Sequence, residues 1–241
     1  MIRRGFGMQV LPGVYLVNGS PYGRHQNGYV VRAGGGAVVV IDSGDLEDAA
    51  VLPEVERNAA RWGLDLSAAT HLLVTHAHFD HASHAAALRR RGARVVASRA
   101  TADAMAAGDD RCIGYAVHRA FEPCPADVVV DDGQAVGVGD LTFTCRLAPG
   151  HAPGLTVFDV TIAGERCWFV GDLLLTRHAH RDVELGWAGG PGFDRAAYLD
   201  SLRRLKDLPC DHLFPGHGPP AIGCGRRVVE KAYTAAMLAW R

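Results

Sequence analysis

Three histidines and an aspartate stand within seven residues in Thr75-His76-Ala77-His78-Phe79-Asp80-His81, directly after the apolar run Leu72-Leu73-Val74. Imidazole rings are costly to crowd, because protonated neighbours repel each other and unpaired ring nitrogens resist burial. An extended backbone points residues two apart the same way, so His76 and His78 can aim at one point. Asp80 and His81 then turn toward a neighbouring point. Two adjacent pockets of nitrogen and oxygen donors suit borderline divalent metals, zinc first. Four residues do not fill two such pockets, and further donors follow at the ends of later apolar runs. Leu147 is soon followed by Gly150-His151, Val170 by Gly171-Asp172, and His212-Leu213-Phe214 by Gly216-His217. Glycine beside each donor lets the backbone approach a crowded centre.

The elements that would position these donors are mostly short strands. Runs of β type occur at residues 8–11, 14–18, 28–32 and 37–41, separated by Gly, Pro and Asn turns. The spacing predicts a helix from near Pro53, with Leu52, Val55, Ala59 and Trp62 on one face and Gly63 stopping it. Residues 72–74 read as a buried strand and 75–81 as the loop leaving its end. A helix at about 83–91, a strand at 94–97 and a short helix at 101–107 follow, then an irregular segment at 108–127. Strands are expected at 128–130, 141–147, 155–162 and 167–170. Asp194 reads as the N-cap of a helix carrying Tyr198, Leu202 and Leu205. A strand at 212–214 precedes a C-terminal helix whose stripe of Val229, Ala232, Tyr233, Ala236, Met237 and Trp240 reads as core packing.

Pattern alone gives an α+β or α/β layered domain. A length of 241 residues, without repeats or a long linker, points to one domain over 1–241. The formal net charge of -1 argues against nucleic acid or an anionic membrane surface as partner. No run approaches the about 20 apolar residues of a spanning helix. The N-terminus has no apolar stretch of the secretory kind, so the expected compartment is the cytoplasm. Six scattered cysteines, none in a CxxC, read as free thiols.

On its donor residues the chain resembles the metallo-β-lactamase superfamily of metal-dependent hydrolases, from about Val10 to Gly218. The superfamily pattern is His-x-His-x-Asp-His, then a His, a bridging Asp and a final His, and this chain matches all of it. The resemblance implies an α+β fold, a four-layer αβ/βα sandwich with its site at the strand ends. It also implies two divalent ions, zinc ahead of iron or manganese. By that resemblance His76, His78 and His151 hold one metal, Asp80, His81 and His217 the other, and Asp172 bridges them with a hydroxide. Asp80 would also act catalytically by orienting that hydroxide or relaying its proton. The turn Asp42-Ser43-Gly44 resembles a recurrent family element, with Asp42 supporting the ligands from behind.

The implied activity is hydrolysis of an ester, thioester, lactone or amide-like bond in a small molecule. An aspartate at 172 resembles the glyoxalase II, lactonase and phosphodiesterase branches, whereas true zinc β-lactamases usually place cysteine or serine there. Leu175 departs from the tyrosine of homoserine lactone hydrolases. A single helix after His217 departs from the glutathione-binding region of glyoxalase II. Three alternatives stand beside hydrolysis of this kind: β-lactamase activity, a mononuclear iron centre resembling persulfide dioxygenases, and a catalytically silent metal-binding module. Tyr22, His178 and Trp187 are candidate pocket residues. His84 reads as a surface or supporting residue after the histidine loop, and His180 as part of a polar loop with His178. The oligomeric state is left open.

Overall fold

The computed structural model describes residues 8–45, 51–177 and 182–240. Its first sheet joins β1 (Met8–Leu11), β2 (Val14–Asn18), β3 (Gly28–Arg32), β4 (Val38–Ile41), β5 (His71–Leu73), β6 (Arg94–Ser98) and β7 (Val128–Val130), in that order. The first three pairings are antiparallel and the last three parallel. The second sheet runs β14-β11-β10-β9-β8. It is built from β8 (Ala135–Val138), β9 (Leu141–Leu147), β10 (Thr156–Ile162), β11 (Glu165–Gly171) and β14 (His212–Pro215). A small hairpin, β12 (Leu175–Arg177) with β13 (Asp182–Glu184), lies apart from both.

Alternation along the strands decides the layering. In β2 and β4, Val14, Leu16, Val39 and Ile41 point toward the second sheet, meeting Phe143, Phe158, Val160, Phe169 and Phe214. Their neighbours Tyr15, Val17, Val38 and Val40 point the other way. They pack with α1 (Leu52–Ala60), α3 (Ala85–Arg90) and α4 (Arg99–Ala107). The outer face of the second sheet offers Val157, Trp168, Val170 and Leu213 to α5 (Arg195–Leu205) and α6 (Gly225–Ala239). Period-two side chains that are apolar on both faces require cover on both. The result is four layers, helix–sheet–sheet–helix, with three buried cores between them.

Most expected elements are present; the β12–β13 hairpin stands where a polar loop was expected, and three further differences have physical causes. Helix α1 stops at Ala60, so Trp62 lies beyond it and packs its ring on Tyr15 at 5.6 Å. The expected loop at 75–81 closes into a helical turn, α2 (Phe79–Ala82), because the His78 carbonyl accepts the N–H groups of both His81 and Ala82. Strand β8 was not expected. Its buried side chains are Val136 and Val138, and its outward positions are Ala135 and Gly137, so polar contrast is missing. The segment 108–127 carries two short 3₁₀ turns, at Asp110–Cys112 and Gly114–Val117. All six cysteines are unpaired. Among the described residues no helix is long and apolar enough to cross a membrane.

Candidate metal centre

Parallel pairing brings the donors to one edge. β4 and β5 run side by side, with Ile41 opposite Leu73, so Asp42 and the Thr75–His81 segment leave at the same end. In the second sheet β11 and β14 are parallel, with Gly171 opposite Pro215, which delivers Asp172 and His217 together. His151 sits in the turn between the antiparallel β9 and β10. The Thr156 N–H donates to the Thr75 carbonyl at 2.8 Å and ties the two sheets at this edge.

Three groups of donors form, each with ligand atoms within 4.8 Å of one another: His76, His78 and His151; His76, His81 and Asp172; and Asp80, His81 and His217. Asp172 reaches across them, with Oδ1 3.2 Å from His81 Nε2 and Oδ2 3.3 Å from His217 Nε2 and 3.8 Å from His151 Nε2. Asp80 Oδ2 lies 3.1 Å from His217 Nε2 and 3.5 Å from His81 Nε2. Packing is tight enough to forbid a side chain at Gly216, where a Cβ would fall 2.4 Å from both Asp172 Oδ1 and His81 Cε1.

Hydrogen bonds at the far side of each ring decide which nitrogen faces the cluster. His151 donates its Nδ1–H to the Trp187 carbonyl at 3.0 Å, and His217 donates its own to the His25 carbonyl at 2.9 Å. His81 Nδ1–H donates to Asp42 Oδ2 at 2.9 Å. The Thr75 hydroxyl gives its hydrogen to Asp42 Oδ2 at 2.8 Å, so it accepts from His76 Nδ1 at 3.0 Å. All four rings therefore turn Nε2 inward. Asp42, at a left-handed φ of 54°, also accepts the Thr75 N–H at 2.8 Å. Such carboxylate and carbonyl partners fix the tautomer and orientation of a metal-binding imidazole.

Several inward-facing atoms of the cluster lack a partner. His76 and His151 present Nε2 lone pairs 3.3 Å apart with no proton between them, and His78 Nδ1 lies 3.0 Å from the latter. The buried His78 Nε2, His81 Nε2 and Asp172 Oδ1 make no hydrogen bond. Buried polar atoms are normally satisfied, so converging orphans of this kind fit a bound ion. Burial, followed by the neighbouring His81 and His78, holds His76 well below the ordinary imidazole value. Burial and His151 take His78 down to about 3. On the other side burial opposes charge on His81, but Asp80, Asp172 and Asp42 overcome it and raise that ring well above its usual range. Burial likewise opposes charge on His217, yet Asp172 and Asp80 carry it up to about 10. Burial would push Asp80 up, but His81 and His217 pull it down to about 2. Asp172 is also held well below the carboxylate range: His217 and His81 outweigh its burial.

All seven donors read from the sequence are thus brought together. Of the candidate pocket residues, Trp187 is half exposed beside the cluster, and a Cβ on Gly190 would touch both its ring, at 3.5 Å, and His78, at 3.4 Å. Tyr22 packs against the core between the sheets and donates its hydroxyl to the Leu16 carbonyl at 2.8 Å. His178 and His180 lie outside the described residues. His84 is buried, just before α3. Sequence reasoning missed Thr75 and the carbonyls of Trp187 and His25, of which only Thr75, adjacent to the motif, left a side-chain signal.

The family model for the metallo-β-lactamase superfamily matches residues 21–217, and the chain belongs to that superfamily. A hydroxyacylglutathione hydrolase of Cereibacter sphaeroides is 34% identical over 150 residues, 61% of this chain and 48% of that protein. An atrochrysone carboxyl ACP thioesterase of Aspergillus fumigatus is 31% identical over 98 residues, 41% of this chain and 27% of that protein. This chain spans between 27% and 64% of the length of the curated relatives it matches. Among solved structures, BJP-1, a subclass B3 metallo-β-lactamase of Bradyrhizobium japonicum, superposes with a TM-score of 0.77 at 21% identity, covering 98% of this chain and 92% of that one. At that identity the likeness speaks for the fold.

Proposed function

We propose that the chain is a dinuclear, zinc-dependent hydrolase of small-molecule acyl compounds, with thioesters as the leading substrate class. The observation that carries this reading is Asp172, one carboxylate within 3.8 Å of inward-facing nitrogens from both halves of the cluster. In this reading His76, His78 and His151 hold one ion, and Asp80, His81 and His217 the second. Bound ions of this kind supply Lewis acidity that polarises a carbonyl oxygen and acidifies a water. Asp80, kept ionised by His81 and His217, would hold the second ion and could accept a hydrogen bond that orients a water there. The exposed indole of Trp187, with Gly190 between it and His78, offers an apolar face to the acyl group. Support for a thioester comes from the two relatives named for thioester cleavage, and an aspartate at 172 is consistent with it.

The test is a panel of thioesters, lactones, β-lactams and phosphodiesters, with zinc-, manganese- and iron-loaded protein. Thiol release from thioesters should be fastest with zinc. His78→Ala should lower kcat/KM roughly 10³-fold, given the several kcal/mol a metal contributes to the transition state. A rate that survives H78A would place the activity elsewhere, and oxygen uptake on a persulfide would favour iron chemistry instead.

A further inference from the structure

Helix α5 lies behind two of the ligand turns, and its Tyr198 makes contacts that the ligand pattern does not require. The side chain is fully buried, with ring centroids 6.2 Å from Phe193 and 5.2 Å from Trp240. Its hydroxyl accepts the Gly186 N–H at 2.8 Å and donates to the Leu173 carbonyl at 2.5 Å, with the Asp172 carbonyl 3.2 Å away. One oxygen therefore joins the turn that carries Asp172 to the loop that begins at Gly186. The next residue in that loop, Trp187, supplies the carbonyl that orients His151.

The backbone of the same residue supports His151 from the other direction. Gly150 packs so closely on Tyr198 that a Cβ there would lie 2.3 Å from the tyrosine Cα. The Asp194 N–H donates to the Gly150 carbonyl, and the Ser201 hydroxyl to the Pro149 carbonyl, each at 2.8 Å. Helix α5 and its N-cap thus contact the His151 turn, the Asp172 turn and the loop that begins at Gly186.

We propose that Tyr198 is a positioning residue, whose hydroxyl locks the Asp172 turn to the loop that orients His151 and so keeps the shared carboxylate in register with both halves of the metal centre. A phenyl ring would fill the same space, so packing alone does not account for the oxygen. Its placement does: a single hydroxyl proton and a lone pair satisfy two buried backbone groups thirteen residues apart, Leu173 and Gly186. Loss of that oxygen leaves both groups unpaired at once and removes the hydroxyl bridge between the two segments that flank the cluster. Burial raises the phenol above its ordinary range, so the group remains a donor.

This inference rests on the dinuclear reading above. Its test compares Tyr198→Phe with Thr70→Val, which removes a hydroxyl-to-carbonyl bond to Val38 at the opposite end of β5. Chelator competition and the visible absorption of cobalt-loaded protein report the metal centre directly. Y198F should fold, bind metal about 10-fold more weakly and change the cobalt spectrum, on the usual scale for groups behind metal ligands. T70V should change melting without either effect. Equal metal binding in Y198F and wild type, or an equal loss in T70V, would overturn the proposal. A second measurement needs no variant: the Gly186 amide should exchange slowly with solvent in the metal-loaded wild type, and rapid exchange would count against the lock. Wild type that binds two ions but cleaves none of the acyl compounds would defeat the reaction assignment and leave the positioning role standing.

Discussion

The two halves of the donor cluster handle protons in opposite ways. His76, His78 and His151 are held below the ordinary imidazole range chiefly by burial, with neighbouring rings adding to it and, at His151, Asp172 opposing it, so they face a metal with lone pairs available. Asp80, Asp172, His81 and His217 neutralise one another as ion pairs, with His217 raised to about 10 and Asp80 lowered to about 2. An ion entering the nitrogen half displaces no proton. In the dinuclear reading, an ion entering the mixed half would compete with protons on His81 and His217, whose neighbouring carboxylates favour their charged forms. In that reading, charge balance rather than the number of donors would distinguish the two sites and favour the nitrogen half filling first.

The sharpest way to break this contrast is Gly216→Ala. The added methyl presses first on Asp172 and His81, the two side chains nearest to it. Metal content should fall from two ions to one, and turnover should drop roughly 10³-fold with it. Retention of both ions would show that the halves are not separable in this way. A smaller effect is expected from Asp42→Ala, which removes the acceptor for His81 Nδ1, the Thr75 N–H and the Thr75 hydroxyl. Affinity of the mixed half should fall about 10- to 100-fold, and that of the nitrogen half less, through the Thr75–His76 link alone. Competition titrations that resolve the two binding steps would measure both.

The smallest effect concerns stability without metal. His217 titrates at about 10 in the fold against 6.5 ordinarily, so its contribution is complete below 6.5 and lost as pH rises toward 10. His78 moves the other way, to about 3, so its contribution is complete above 6.5 and lost as pH falls toward 3. The Asp80 contribution is complete above 3.8 and disappears as pH falls through about 2. Melting of the chelator-treated protein should accordingly be highest near pH 6.5. His217→Ala should flatten the alkaline limb and H78A the acid limb; the reverse assignment would contradict the contrast.

The same contrast explains what the sequence made legible. Donor side chains announce themselves by type and spacing, and His76, His78, Asp80, His81, His151, Asp172 and His217 were all readable. Strands with apolar residues on both faces, such as β4, were readable as short β-branched runs bounded by turn residues. The groups that orient the rings were mostly invisible. The carbonyls of His25 and Trp187 could belong to any residue, and only the fold brings them to His217 and His151. Tyr198 was placed with Leu202 and Leu205 at helical spacing, and its ring is buried there, while the reach of its hydroxyl to Gly186 and Leu173 depends on where two loops end. Helix α2 was hidden because the motif residues are poor helix signals, and His78 starts the turn with its backbone carbonyl.

The most direct test is calorimetric titration of metal-free protein with zinc near pH 7, repeated in buffers of different ionisation enthalpy. The account predicts two ions per chain, the first bound without proton uptake or release and the second accompanied by proton release. Binding of a single ion, or of two ions with no proton released at either step, would contradict it.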